Sequence, residues 1–388
     1  METYWNYGIA ILFAPSGQVA ENTKVIAYLS NPYSVTFFIF LLLCQAALWR
    51  AAKGQTRRFN ITTPIALIAD SLLGCLLFLE LVLSTGMFDN DPRWIPLRFQ
   101  EEDKKIAASQ RRNAASNPIG FNDKAFSLSK PAGVRRVAVI SDSFIFGDGV
   151  PYEEIWGVKL RNLLAADDPN IETLLWGKNG WSTYGQLKFL KDTGIQFKPD
   201  FLIIGFVTND PSPCVLDCIE RPRWHESPAW QPLEGLFPES FNFVSAFANR
   251  FIESNSTTLG YDNYENIIYS SKNLAWYASL LEELSQFCKA HNIPVLVVLT
   301  PNDYSEIFER KYRLIKPLME RAGLPVLDLL PVIRGELGHI PAEKLRASRA
   351  NGHPGPLMTT LYAQEVFKSL QKRWSVATPP APPYSRPP

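Results

Sequence analysis

The 388-residue chain has little of what marks several common protein classes. Its five cysteines are too few for the disulfide framework of a small secreted domain. A formal net charge of +1 gives no basic surface, so nucleic acid is not an expected partner. Charged residues make up 20% and aromatic residues 12%, a composition too apolar for a disordered chain. His225, His291 and His339 show no paired metal-ligand spacing, and we expect them in loops or on the surface.

Hydrophobic residues are concentrated in two runs near the N-terminus, at 33–49 and 65–88. A membrane-spanning helix needs roughly 20 mostly apolar residues, with a lower limit of about 17. A buried core helix is the alternative for each run. The loop between them holds basic residues and no acid: Arg50, Lys53, Arg57 and Arg58. Such loops stay cytoplasmic, which predicts a two-helix transmembrane anchor at 33–90, with segment 1–32 and everything after the anchor extracytoplasmic (periplasmic).

Two carboxylates, Asp70 and Glu80, interrupt the second run. Acidic residues inside membrane-spanning segments usually face protein rather than lipid. One interpretation is a contact with another membrane protein, such as a membrane acyltransferase subunit. The other is that Asp70 pairs with Arg57 or Arg58, while Glu80 is protonated or packs against the first helix.

The rest of the chain alternates short apolar runs with helical periodicity. The predicted strands are 134–140, 171–176, 201–206, 294–300 and 324–327, and the predicted helices are 154–164, 185–193, 274–290, 304–322 and 358–374. This alternation predicts an α/β fold with a mostly parallel five-stranded sheet covered on both faces. We assign it to a domain at 131–374, which follows a charged connector at 91–130 and precedes a Pro-rich disordered tail at 375–388.

Chemistry in such a fold is expected in the turns at the carboxyl ends of the strands. Four candidates occur in chain order: Ser143 after the first strand, Gly180 after the second, Asn209 after the third and His353 before the last helix. A serine near a helix N-terminus suits a nucleophile, and histidine is its usual base. Glycine and asparagine can offer N–H donors to an oxyanion. Taken singly, each could be a cap, a turn residue or a solvated loop side chain.

Together these positions resemble the SGNH/GDSL hydrolase family, whose blocks carry Ser, Gly, Asn and His in this order. The blocks here are SDSF with Ser143, NGWSTYGQL with Gly180, GFVTND with Asn209 and NGHPG with His353; NPIGFNDKAF and FGDGVPYEEIW also look like this family. The resemblance implies a three-layer α/β/α sandwich that cleaves or transfers a carboxylic ester without metal or organic cofactor. Ser143 would be the nucleophile and His353 the general base. The N–H groups of Ser143 and Gly180 and the Asn209 side chain would form the oxyanion hole.

Two positions depart from the family pattern. Ser141 replaces a glycine, which removes no catalytic group, and Asp142 is expected to hold the turn through backbone N–H groups. The family usually has an aspartate two or three residues before the histidine, where this chain has Asn351 and Ala350. Asn351 could hold the imidazole through its side-chain carbonyl but carries no charge, and losing that charge costs roughly 10⁴-fold in kcat in a serine protease. Asp328 is an alternative acid, or simply a strand-end cap.

The sequence therefore predicts a membrane-anchored, extracytoplasmic serine esterase or O-acyltransferase. Its expected substrate bears an ester, with acylated cell-envelope polysaccharide as one example. The contrasting hypothesis is a catalytically degenerate binding or scaffold module of a membrane complex, supported by the missing aspartate. Cys214 and Cys218 follow Asn209 closely and either form a disulfide or remain separate thiols.

Overall fold

The computed structural model describes residues 32–54, 62–89, 94–213 and 223–377. In chain order the helices are α1 (Pro32–Gly54), α2 (Thr62–Ser84), α3 (Leu97–Ser116), α4 (Ser143–Phe146), α5 (Trp156–Asp167), α6 (Thr183–Asp192), α7 (Gln231–Leu236), α8 (Pro238–Ser254), α9 (Tyr261–Ile268), α10 (Ser271–Ala290), α11 (Glu306–Arg321), α12 (Leu330–Leu337) and α13 (Pro356–Ala377). The strands are β1 (Arg135–Ser141), β2 (Ile171–Gly177), β3 (Phe201–Phe206), β4 (Val295–Leu299) and β5 (Val326–Asp328).

The chain divides into two structural units. The first takes in Met1–Gln100 and Arg221–Ser256, and the second takes in Glu101–Glu220 and Thr257–Pro388. The domain predicted at 131–374 therefore contains a segment that belongs to the first unit. Cys214, Cys218 and the tail beyond α13 lie outside the described residues, so the predictions about them stay open.

The first unit begins with the helices predicted from the two apolar runs. α1 and α2 pack against each other, and both expose large apolar side chains, among them Leu43, Leu72 and Phe78. Within the part of the chain that the structure describes, no helix combines the length and the apolarity needed to cross a membrane. The predicted helical hairpin is therefore present, whereas its predicted membrane-spanning character is not supported.

The carboxylate of Glu80 accepts hydrogen bonds from another segment of the first unit. The side chain is fully buried, and its oxygens accept hydrogen bonds from the backbone N–H groups of Glu239 (2.9 Å) and Ser240 (2.6 Å). These N–H groups lie in the first turn of α8, where the helix itself provides no acceptor. A carboxylate there also meets the positive end of the helix dipole. Glu80 thus caps α8, a role that the sequence did not indicate.

The other carboxylate of the second apolar run is also inside the first unit. Asp70 lies on α2 and is buried. Its predicted partners, Arg57 and Arg58, lie outside the described residues, and the predicted pairing is therefore still a prediction.

The second unit is built on a parallel five-stranded sheet with the strand order β2-β1-β3-β4-β5. All five predicted strands are confirmed, with ends that shift by no more than two residues. The central strands β1, β3 and β4 are short apolar runs because helices cover both faces of the sheet, whereas the edge strand β5 is only half-buried. Side chains alternate along β1, so that Val137 and Val139 join one core and Ala138 and Ile140 join the other.

Helices cover both faces of this sheet. α6, α10 and α11 bury their apolar residues against one face, and α5 and α13 bury theirs against the other, while α12 adds Leu330 to the first core and Ile333 to the second. Trp176 of β2 lies in the first core and Trp156 of α5 in the second, each almost completely buried. This is the three-layer α/β/α arrangement that the sequence predicts.

The connector predicted at 91–130 contains a 20-residue helix, α3, which the sequence reading missed. Its run EEDKKIAASQRRN has almost no large apolar residues, so no hydrophobic periodicity indicates a helix. Its residues are nevertheless mostly strong helix formers. Gln110 of α3 is buried and donates from Nε2 to the carbonyl oxygens of Gly147 and, at 3.1 Å, Val150. The connector therefore holds the turn that follows α4.

Candidate active site

The strand order brings three of the predicted residues to one edge of the sheet. β1 lies between β2 and β3. Ser143 follows the end of β1, Gly180 follows β2 and Asn209 follows β3, each within three residues of its strand. β2 is added on one side of β1, and β3 and the later strands are added on the other side. Open α/β sheets bind ligands at such a switch point.

Ser143 is the first residue of α4, a single helical turn directly after β1. Asp142 caps this turn, with Oδ1 accepting from the N–H of Phe144 at 3.0 Å, as predicted. The end of β2 packs closely on the turn: a Cβ added at Gly177 would lie 2.3 Å from the backbone nitrogen of Phe146. Only glycine fits there, so the β2 backbone supports the turn that presents Ser143.

His353 reaches Ser143 from 210 residues away, with Nε2 lying 2.8 Å from Oγ. It lies on the loop that leads into α13. Two backbone hydrogen bonds close this loop, from the N–H of Ala347 to the His353 carbonyl and from the N–H of Gly355 to the Leu345 carbonyl, both 2.7 Å. The loop conformation therefore fixes the position from which the imidazole approaches the serine.

Asn351 holds the imidazole from the other side. Its Oδ1 lies 2.6 Å from His353 Nδ1 and also accepts the His353 backbone N–H at 3.0 Å. Because an amide oxygen can only accept, this hydrogen bond requires the ring proton on Nδ1. Nε2 is then free to accept from the Ser143 hydroxyl, which is the tautomer that a general base needs.

A further carboxylate stands behind Asn351. The Asn351 Nδ2 donates to Asp148 Oδ1 at 3.1 Å, and Asp148 Oδ2 lies 4.0 Å from His353 Nε2. The sequence reading did not single out Asp148. The signal was present, however, because Asp148 lies in the block FGDGVPYEEIW just after the nucleophile.

The alternative acid named from the sequence lies elsewhere. Asp328 ends β5, accepts the backbone N–H of Leu330 at 3.1 Å and lies 3.8 Å from the Lys316 ammonium. It therefore has the strand-end role and not the role of an acid for His353. Ser141, in the family's glycine position, donates its hydroxyl to the Gly205 carbonyl of β3 at 2.7 Å, which ties the two central strands together.

Two carboxyl groups are buried beneath the serine. Burial raises the pKa of Asp142, against hydrogen bonds to its carboxylate and the charge of His353. Burial, and then the neighbouring Asp142 carboxyl, raises the pKa of Asp210 well above its usual range, against hydrogen bonds from the Val207 N–H and the Gln186 amide. Burial therefore disfavours a negative charge on each of these two carboxyl groups.

The three residues predicted to form an oxyanion hole each carry an amide N–H group. As the first residue of α4, Ser143 has an N–H with no acceptor inside the helix. Gly180 has φ 73°, which glycine adopts without strain. Among the backbone–backbone hydrogen bonds of the described residues, neither N–H donates. The buried Asn209 amide bonds to Asp142, and since an NH₂ group carries two hydrogens, a second donor is left over.

The side chains of the described residues form no group of three or more His, Cys, Asp or Glu suited to a metal ion. His225 lies in a short helical turn, Trp224–Glu226, and His291 caps the C-terminus of α10. The His291 ring bonds to the Phe287 carbonyl at 2.9 Å.

Three solved structures illustrate what this chain is similar to. The acetylxylan esterase Axe2 from Geobacillus stearothermophilus is 14% identical with a TM-score of 0.40, over 62% of this chain and 96% of that chain. TesA is 16% identical with a TM-score of 0.38, over 61% and 99%. The psychrotrophic esterase EstA from Pseudoalteromonas sp. is 14% identical with a TM-score of 0.37, over 62% and 99%. No protein-family profile and no curated protein sequence matches the chain.

Proposed function

We propose that the chain is a serine esterase or O-acyltransferase of the SGNH/GDSL type. The observation that carries the proposal is the 2.8 Å hydrogen bond between Ser143 Oγ and His353 Nε2. An imidazole in this position can take the hydroxyl proton as the oxygen attacks an acyl carbon. The chain order of the four sequence blocks, which meet in one site, supports the same reaction class.

The reaction follows from the placement of these groups. Ser143 Oγ attacks the ester carbonyl while its proton passes to His353 Nε2. The oxyanion that forms accepts hydrogen bonds from the N–H groups of Ser143 and Gly180 and from the Asn209 amide. His353 then returns the proton to the departing alcohol, leaving an acyl-serine. Water completes hydrolysis, or an acceptor hydroxyl completes transfer, with His353 again taking the attacking proton.

The contrasting hypothesis of a degenerate, non-catalytic module is less favoured. Its main support was the missing aspartate, yet Asn351 holds the imidazole at 2.6 Å in the productive tautomer. An asparagine performs this role in the Cys-His-Asn arrangement of papain-like proteases. A covalent serine probe separates the two hypotheses, because a scaffold module would fold without labelling at Ser143.

The finer proposal is that the enzyme is attached to a membrane and works outside the cytoplasm on an O-acyl group of an envelope polysaccharide. The basic loop between the two apolar runs supports this orientation, and the exposed apolar side chains of α1 and α2 suit lipid. Polysaccharide hydroxyl groups are a class of acyl acceptor that fits this proposed location. Fractionation and protease shaving of intact spheroplasts test it: release of the chain by alkaline carbonate, or protection of the second unit, would argue against this location.

The reaction itself is tested with the purified full-length chain and p-nitrophenyl acetate. Ser143→Ala should lower kcat by at least about 10³-fold, because the nucleophile is lost while binding remains. Ser285→Ala is the matched control, a buried serine on α10 outside the site, and should leave the rate unchanged. An unchanged rate in Ser143→Ala would show that the nucleophile is wrongly assigned.

A further inference from the structure

Asp148 belongs to a hydrogen-bonded series that ends at the reacting imidazole. Its Oδ1 accepts from Asn351 Nδ2 at 3.1 Å, and Asn351 Oδ1 in turn lies 2.6 Å from His353 Nδ1. The second oxygen of the same carboxylate lies 4.0 Å from Nε2. The Asp148 carboxylate is therefore linked to both ring nitrogens of His353. It reaches Nδ1 through the Asn351 amide, and it lies close to Nε2 without a hydrogen bond.

The turn that carries Asp148 is held in a defined shape. The flanking residues Gly147 and Gly149 have φ values of 83° and 80°, which other residues rarely adopt. Gln110 donates to the carbonyl oxygens on both sides, those of Gly147 and Val150. A fixed turn means that the carboxylate is in place before any substrate arrives.

The packing of this turn against Asn351 is equally specific. A Cβ added at Gly149 would lie 2.5 Å from Asn351 Nδ2 and 2.6 Å from its side-chain carbon. The backbone of the turn therefore forms the wall against which the Asn351 amide rests. Asn351 is oriented by Gly149 through contact and by Asp148 through a hydrogen bond.

We infer that Asp148 is the positioning carboxylate of the site, which orients and polarises the Asn351 amide and places a negative charge beside the imidazolium that His353 becomes. The inference rests on the proposed serine-hydrolase function and supplies the charge that Asn351 lacks. The proton moves only between Ser143 Oγ and His353 Nε2, and Asp148 carries no proton in the reaction. Hydrogen bonds in series polarise one another, so the charge acts on Nδ1 through the amide as well as directly.

Two acidic side chains among the described residues interact with His353. Asp148 approaches from the turn after α4, at the distances given above. Asp142 lies between β1 and α4, and its carboxyl group interacts electrostatically with His353. Asp142 is buried, and burial raises its pKa, whereas the Asp148 side chain is 29% exposed. Contact with solvent makes a charge at position 148 less costly than a charge at the buried position 142.

The first experiment is Asp148→Asn in the full-length chain, with the pH dependence of kcat/KM for p-nitrophenyl acetate. We expect kcat to fall about 10²-fold with little change in KM, less than the 10⁴-fold loss of a directly bonded aspartate. The acidic limb of the profile should move to lower pH by roughly half to one unit, since a nearby negative charge favours the imidazolium. Glu153→Gln is the control, an exposed carboxylate on the following turn, and should change neither quantity.

The second experiment exchanges the two side chains, combining Asp148→Asn with Asn351→Asp. The exchange keeps a hydrogen bond between positions 148 and 351 and moves the charge directly onto Nδ1. We expect this double variant to recover at least the wild-type rate and the wild-type acidic limb. If Asp148 only supported the fold, Asp148→Asn would lower the yield of folded enzyme without moving the limb, and the exchange would not rescue it.

Labelling of Ser143 by a fluorophosphonate tests the proposed function separately from the role of Asp148. A wild-type chain that neither hydrolyses esters nor labels would overturn the proposed function and this inference together. A wild-type chain that labels, beside an Asp148→Asn variant that labels equally fast with the same pH profile, would overturn the role of Asp148 alone.

Discussion

The imidazole Nδ1 of His353 lies 2.6 Å from the side-chain oxygen of Asn351, two residues earlier in the chain. The ring is thus held by an acceptor that has the direction of a carboxylate but not its charge. Because the same oxygen also accepts the His353 backbone N–H at 3.0 Å, the side chain is fixed relative to the loop. Orientation and charge, which one aspartate supplies in the usual triad, are supplied here by separate residues.

Without the Asn351 side-chain oxygen, the His353 ring should no longer be held in one orientation. Asn351→Ala is expected to lower kcat by about 10²- to 10³-fold, because the imidazole loses its fixed tautomer and direction. Asn170→Ala, an exposed residue before β2, is the control. The measurement is steady-state ester hydrolysis with thermal unfolding in parallel, and a variant of wild-type activity would mean that Asn351 does not position the ring.

The oxyanion assignment makes a separate prediction. Asn209→Ala should lower kcat by about 10²- to 10³-fold with little effect on KM, the usual cost of removing one oxyanion donor. The Asn209 amide also bonds to Asp142, so unfolding must be followed in the same variant. A loss seen in KM alone would identify Asn209 as a substrate-binding residue and not as an oxyanion donor.

Close packing under the nucleophile predicts an effect at a residue that never meets substrate. Gly177→Ala would place a Cβ 2.3 Å from the backbone nitrogen of Phe146, so either β2 or the α4 turn must shift. We expect a destabilisation of about 1–3 kcal/mol from overpacking, together with a clear loss of kcat as Ser143 moves. Gly335→Ala on α12 is the matched control, since nothing lies within 4 Å of its added Cβ. Equal stability and activity in the two variants would contradict this account of the turn.

Much of the second unit could be predicted because its information is local. Each strand is a short apolar run, and the carboxyl ends of parallel strands meet at one edge, so Ser143, Gly180 and Asn209 converge without further knowledge. The helix α3 could not be predicted in this way, since its charged sequence has no apolar stripe. Hydrophobic periodicity indicates buried apolar residues, whereas the buried residue of α3 among those described is the polar Gln110.

The contacts that the sequence could not indicate are those between distant segments. Asp148 meets Asn351 across 203 residues, and Glu80 meets Glu239 across 159. In both cases the sequence shows an acidic residue, but it does not indicate which distant residue that acid contacts. The apolar runs predicted the helices α1 and α2 correctly, but the role of a carboxylate inside such a run depends on what the chain packs against it.

The buried acid beneath the site should make stability depend on pH. The pKa of Asp210 is raised well above its usual range, first by burial and then by the neighbouring Asp142 carboxyl. Between the ordinary value of about 3.9 and the raised one, the folded chain binds more protons than the unfolded chain. The free energy of unfolding therefore falls as pH rises through this window, by up to about 1.4 kcal/mol per pH unit for one group.

Asp210→Asn should flatten this dependence and raise stability at the alkaline end of the window. The new amide can be accommodated, because the Gln186 Oε1 is buried without a hydrogen-bond partner among the described residues and becomes an acceptor when that side chain flips. Urea unfolding from pH 5 to 9 measures the effect, with Asp192→Asn on the exposed face of α6 as the control. An unchanged pH dependence would mean that Asp210 is ionised in the folded chain.

The cap that Glu80 provides should be measurable as local stability of α8. Glu80→Ala leaves the N–H groups of Glu239 and Ser240 without their acceptor, at a cost of about 1–3 kcal/mol for unsatisfied buried donors. Amide exchange along α8 should then speed up by roughly one to two decades, and Glu80→Gln, which keeps one acceptor oxygen, should fall between the two. Glu234→Ala, an exposed acid on α7, should leave exchange unchanged. Wild-type protection in Glu80→Ala would show that solvent or another group caps α8 equally well.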